Sequence, residues 1–70
     1  MPIFLAPLNT DLTVVKLLVD EKTKKHLENL GITLNSKLQV LSSENGSVIV
    51  LVKEGSLALD RNIAMKILVA

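Results

Sequence analysis

A mainly β domain, folded as a small, partly open barrel of about five strands with one inserted α-helix, is the architecture that this sequence predicts. Three observations carry it. The 70-residue chain is 49% apolar, most of that from Leu, Val and Ile, with Phe4 as its one aromatic residue, and branched aliphatic side chains suit the pleated, half-buried surface of strands. Short apolar runs recur between turn residues such as Asn45-Gly46 and Gly55-Ser56, which is the punctuation of strands rather than of long helices. A single stretch, beginning at Glu21, carries helical spacing behind a capping residue. The length accommodates one domain, residues 1–70.

The elements follow in order. Pro2 and Pro7 bracket an apolar stretch, so the first nine residues are expected as an extended edge segment lying against the domain. Leu12 to Val19 is apolar on both faces except at Thr13 and Lys16, the pattern of a largely buried strand. Asp20 then caps a helix beginning at Glu21, its carboxylate accepting from an orphan backbone N–H at the positive end of the dipole. Thr23, Leu27 and Leu30 share one face of that helix, and Gly31 ends it. Ile32 to Ser36 is a connector in which Asn35 tolerates left-handed geometry.

Lys37 to Ser43 and Ser47 to Lys53 form a hairpin around Glu44-Asn45-Gly46. A two-residue Asn45-Gly46 turn would pair Val40 with Leu51 and mix polar with apolar positions on the core face. A three-residue loop with Gly46 left-handed in a bulge pairs Leu38 with Val52, Val40 with Val50 and Ser42 with Val48, and the cleaner inward face favours it. Glu54-Gly55-Ser56 turns into a short strand, Leu57-Ala58-Leu59. Asp60 caps one helical or 3-10 turn before the last strand, where Met65, Ile67 and Val69 are expected to point inward. Five short strands and one helix in this order suggest an SH3-like barrel, closed because free edges invite aggregation.

Composition excludes much chemistry. With no cysteine, disulfides, thiolate metal sites and thiol nucleophiles are ruled out. A net charge of +1 without Trp or Tyr does not suit a nucleic-acid binder, which needs a basic field and stacking platforms. No run approaches the ~20 apolar residues of a membrane span, and the start lacks the basic region of a signal peptide, so a cytoplasmic location is expected. His26 is the single histidine. Glu28 lies two residues along the helix and so points elsewhere, and no third ligand completes a metal site. Nor does His26 belong to a nucleophile elbow, and Gly31, Gly46 and Gly55 match neither a P-loop nor a dinucleotide fingerprint. No catalytic role, bound metal or cofactor is expected.

Two groups of residues remain as candidate partner-binding positions. Lys22 and Lys25 sit on the helix beside Lys24 and His26, interrupted by Glu21 and Glu28; they suit either a solvated face or a docking surface for an acidic partner. Leu41, Ile49 and Leu51 face outward in the preferred hairpin register, and contiguous apolar positions on a sheet mark contact with another element or another protein.

Leu30-Gly31-Ile32, then Leu38-x-Val40-Leu41, Val50-x-Val52, Leu57-Ala58-Leu59 and Ala64-x-x-Ile67-x-Val69 together resemble the FeoA family, over Leu5 to Val69. The order and spacing of these blocks are more specific than any one of them. Leu34-Asn35 stands where that family usually has Pro-Gly, Asn9 where it has another turn glycine, and Glu54, followed by Gly55, where a glycine precedes the Leu-Ala-Leu strand. The resemblance implies an SH3-like barrel serving as a cytosolic accessory or regulator of bacterial ferrous iron uptake. Its implied partner is the FeoB-type transporter with its cytosolic GTP-binding domain; the candidate positions read above, Lys22, Lys25, Leu41, Ile49 and Leu51, are expected to make that contact. The chain itself would not span the membrane and would be a monomer or weak homodimer. The alternative is a small metal-responsive SH3-like domain that binds a transition metal ion directly through His26 and carboxylates.

Overall fold

A computed structural model describes residues 1–53 and 55–70; Glu54, assigned above to a turn, lies outside the described residues. A 3-10 turn, Ile3–Leu5, precedes β1 (Leu12–Leu17), α1 (Glu21–Asn29), β2 (Lys37–Glu44), β3 (Ser47–Val52), β4 (Gly55–Asp60), α2 (Arg61–Ala64) and β5 (Ile67–Val69). The strands form one antiparallel sheet in the order β4-β3-β2-β1-β5. The five strands and single long helix agree with the SH3-like architecture, but the sheet is open, with β4 and β5 at its two ends.

The hairpin between β2 and β3 combines the two registers that the sequence set against each other. Glu44 pairs with Ser47, so the loop is the two-residue Asn45-Gly46 turn and not the expected three-residue one. Both of its residues have positive φ, 50° and 86°, the geometry whose twist matches the flanking strands. Ser43, rather than Ser42, then opposes Val48. A bulge between Val40 and Ser42 restores the expected Val40–Val50 pairing, so Val40 and Val50 both reach the core. One extra residue on β2, Leu41, supplies what a longer loop was expected to supply.

β1 is shorter and less buried than its sequence suggested. Leu12 and Val14 are buried, but Val15 is 51% exposed and Leu18 49% exposed. A second bulge, between Val14 and Lys16, lies where β1 runs along β5. β1 pairs with β2 at Leu12–Leu38 and Thr13–Lys37, and Leu12 and Val14 are its buried residues. The N-terminal segment is likewise no plain extended strand: it folds into the 3-10 turn, buries Ile3, and lays Pro2 against Leu68 and Leu8 against Val40. Prolines on either side of a single tight turn fit that shape, since each restricts only its own φ and donor. Met65 is 38% exposed rather than inward. Its N–H still bonds back to Arg61, so the chain is in the α2 turn there and β5 begins two residues later; that turn is α-helical, and the 3-10 turn lies at the N-terminus.

The connection around α1 matches its local signals. Gly31 (φ 98°) follows the helix, its N–H bonding Glu28 while that of Ile32 bonds Leu27. This pairing of the last carbonyls brings Leu27 and Ile32 together, and both are buried. Asn9, Asn35 and Asn45 all adopt positive φ, so the two asparagines standing for family glycines do supply left-handed geometry.

Asp20 accepts a hydrogen bond from the Thr23 N–H at 2.8 Å. Hydrogen bonding to Thr23, aided by nearby Lys22 and Lys66, holds the Asp20 carboxyl below the ordinary carboxylate value. A group with a depressed folded pKa stabilises fully above its unfolded pKa, and that contribution is lost as pH falls through the folded value. Asp20→Ala should therefore flatten the acid limb of stability against pH, as followed by denaturant titration. An equally steep acid limb in the variant would assign the acid sensitivity to another group.

Candidate functional site

The residues singled out on the hairpin share one face. Val48, Val50 and Val52 are buried, so Ile49 and Leu51 of β3 point to the opposite side. Ile49 lies across from Ser42 on β2 and Ala58 on β4, and Leu51 across from Gln39 and Ser56. The bulge sets Leu41 as well as Ser42 against Ile49. Leu51 is 40% exposed, whereas Leu41 and Ile49 are half-buried. The strip thus holds one exposed leucine, with Ile49 two residues along β3 and Leu41 set against Ile49.

Lys22 and Lys25 are exposed and three residues apart on α1, on a common side of the helix. Lys24 between them is half-buried, and His26 is exposed. These lysines and the hairpin strip occupy separate elements of the fold.

Hairpin alternation alone did not reveal Ser56 and Ala58. Both are exposed and continue the strip's face onto β4; β4 extends two residues before the Leu57-Ala58-Leu59 block, and its small residues carry no strong strand signal. An open cleft of about 230 Å³ lies between the end of α1 and the start of β4, lined by Asn29, Leu30, Val52, Gly55, Ser56 and Leu57. Among the described residues, no three His, Cys, Asp or Glu side chains gather as a metal site. No helix of the described residues is long and apolar enough to cross a membrane.

Comparison with known proteins gives this geometry its context. A Methanocaldococcus jannaschii protein provisionally named Fe(2+) transport protein A is 42% identical over 45 residues, which are 64% of this chain and 55% of that protein. The aligned stretch therefore spans only about half of that relative. A crystal structure of an iron uptake regulatory protein (FeoA) superposes with a TM-score of 0.88 at 23% identity, covering 99% of this chain and 93% of the other. A manganese-dependent transcriptional repressor superposes with a TM-score of 0.85 at 21% identity, over 96% of this chain and 39% of the repressor. At such identities the two structures establish a shared fold. The same SH3-like unit thus occurs nearly alone in one protein and as a minor part of another. The sequence model of the FeoA domain matches residues 1–70, and with that match the chain belongs to the FeoA family.

Proposed function

We propose that this protein is a cytosolic accessory or regulator of ferrous iron uptake that acts by binding the cytosolic GTP-binding domain of an FeoB-type transporter. Membership of the FeoA family and the name of the Methanocaldococcus jannaschii relative support the link to ferrous iron. The observation that carries the binding role is Leu51, 40% exposed on the outer face of β3, with half-buried Ile49 two residues along the same strand. A partly exposed leucine beside an isoleucine on the same face is a position that gains from being covered by a partner. Lys22 and Lys25 on α1 are the second contact, steering an acidic partner more than adding affinity. The protein then works in the cytoplasm, held at the inner face of the membrane through its partner. No group of its own needs to perform catalysis.

Calorimetric titration against the transporter's cytosolic domain tests the reading. Leu51→Glu should weaken binding by at least ~10-fold, while unfolding shifts less than for a change at the buried valines of β3, because Leu51 is 40% exposed. The double charge reversal Lys22→Glu with Lys25→Glu should slow association and reduce its salt dependence. Affinity unchanged in both variants would remove the assignment.

A further inference from the structure

We infer that the outer edge of β4 pairs with the same edge of a second copy of this chain, antiparallel and centred on Ala58. The first observation is that the sheet's free edges are treated unequally. The outer edge of β5 is covered: Pro2 bridges Leu68, the Val69 N–H donates to the Met1 carbonyl at 2.7 Å, and the Met1 amino group donates to the Val69 carbonyl at 2.8 Å. Past Val40, the side of β2 away from β3 is broken by the bulge at Leu41 and ends on Glu44. Among the described residues, β4 has neither device. Its six residues run in unbroken register along β3, from Val52–Gly55 to Ser47–Asp60. They include no proline and no lysine, and Asp60 is the one charge. Bulges, prolines, lysines and covering segments are the usual guards of an edge.

The second observation is which backbone groups this edge offers. The Arg61 N–H donates to the Gly46 carbonyl at 2.8 Å, which sets the alternation of the β3–β4 ladder. Val48–Leu59 and Val50–Leu57 exchange hydrogen bonds, whereas Ser47–Asp60, Ile49–Ala58 and Leu51–Ser56 do not. The N–H and C=O groups of Ser56 and Ala58 and the N–H of Asp60 therefore point away from β3, toward the open side, while the Asp60 carbonyl belongs to the first turn of α2. A two-fold axis at Ala58 sets Ala58 against Ala58 of the second copy and Ser56 against Asp60 of the second copy. The two Ala58 residues then exchange both of their bonds, and the Asp60 N–H of each copy donates to the Ser56 carbonyl of the other, giving about four backbone hydrogen bonds.

The side chains agree with this register. Leu57 faces the core but is only half-buried at the edge, and pairing sets Leu59 of the second copy beside it. The acidic Asp60 meets a serine rather than its own like charge, so the arrangement avoids the repulsion of opposed carboxylates. On the outer face Ile49 already neighbours Ala58, so the two copies join their strips into one apolar band across the axis. The contact uses one patch on both chains and closes as a two-fold dimer.

Sedimentation equilibrium of the full chain from about 10 μM to about 1 mM tests this. The chain should pass from monomer to dimer with rising concentration, and amide exchange at Ala58 and Asp60 should slow in step. Ala58→Pro removes an N–H that the monomer does not use, a substitution that edge strands tolerate, and should weaken dimerisation by at least ~10-fold. Should that variant fail to fold, two lysine variants decide. Ala58→Lys sets like charges together at the axis and should abolish the dimer, whereas Ser56→Lys meets Asp60 and should preserve or strengthen it. A chain that stays monomeric throughout, or lysine variants that behave alike, would overturn the inference. No transporter takes part in these measurements, so their outcome is independent of the proposed function.

Discussion

Leu27→Ala is expected to destabilise the protein by about 2–5 kcal/mol and to free α1 before the sheet unfolds. Leu27 is the one fully buried residue of α1; Thr23 and Leu30 on the same face are half-buried, and the rest of the helix is largely charged. A nine-residue helix is too short to persist on propensity alone, so its packed face must hold it. Leu27 also accepts, through its carbonyl, the hydrogen bond from Ile32 that closes the helix end, with both side chains in the core. Removing the leucine side chain leaves a cavity under the helix and loosens its partner Ile32. The loss is a large share of the total, since a domain of this length holds on the order of 5 kcal/mol. Amide exchange measures it directly: protection in Lys24 to Gly31 should fall well below that of Val48 and Val50. Uniform loss of protection across both regions would instead show that α1 unfolds only with the sheet.

Ile3→Ala is the second large effect, about 2–4 kcal/mol by the same transfer and cavity terms. The N-terminal turn is anchored by one fully buried side chain, Ile3, with Phe4 and Ala6 packed partly against the core. The Arg61 guanidinium lies over the Phe4 ring, 5.1 Å from its centre, and ties the turn to α2. This segment is also what covers the outer edge of β5. Losing Ile3 should therefore expose Leu68 and Val69 to solvent exchange and raise the tendency to aggregate, because a second open edge appears. Thermal unfolding together with light scattering at increasing concentration would show both. A variant equally destabilised but no more prone to aggregate would show that the segment remains on the edge without its anchor.

The hairpin strip and the β4 edge have different physical origins. The hairpin strip comes from alternation along β3, where three valines turn inward and Ile49 and Leu51 are left outside. The β4 edge comes from topology, because nothing in Gly55 to Asp60 distinguishes a terminal strand from an interior one until its neighbours are known. Ala58 belongs to both. Its side chain continues the strip and its backbone lies on the open edge.

Features that depend on a few adjacent residues were legible in the sequence. The caps at Asp20 and Asp60 each accept from an N–H three residues ahead, and the left-handed positions at Asn35, Gly46 and Gly31 follow from side-chain size and local hydrogen bonding. The inward set Val40, Val48, Val50 and Val52 follows from a period of two. The tertiary structure decided the rest: the bulges at Val15 and Leu41, the 3-10 turn over β5, the exposure of Met65, and the narrowing of the outer strip to Leu51. The β1 bulge and the covering 3-10 turn depend on β5, at the other end of the sequence, whereas the Leu41 bulge and the exposure of Met65 depend on how the hairpin and the α2 turn settle in the fold. A bulge forms when two faces must both meet a core whose curvature neither strand encodes alone, and coverage is a property of whatever packs above.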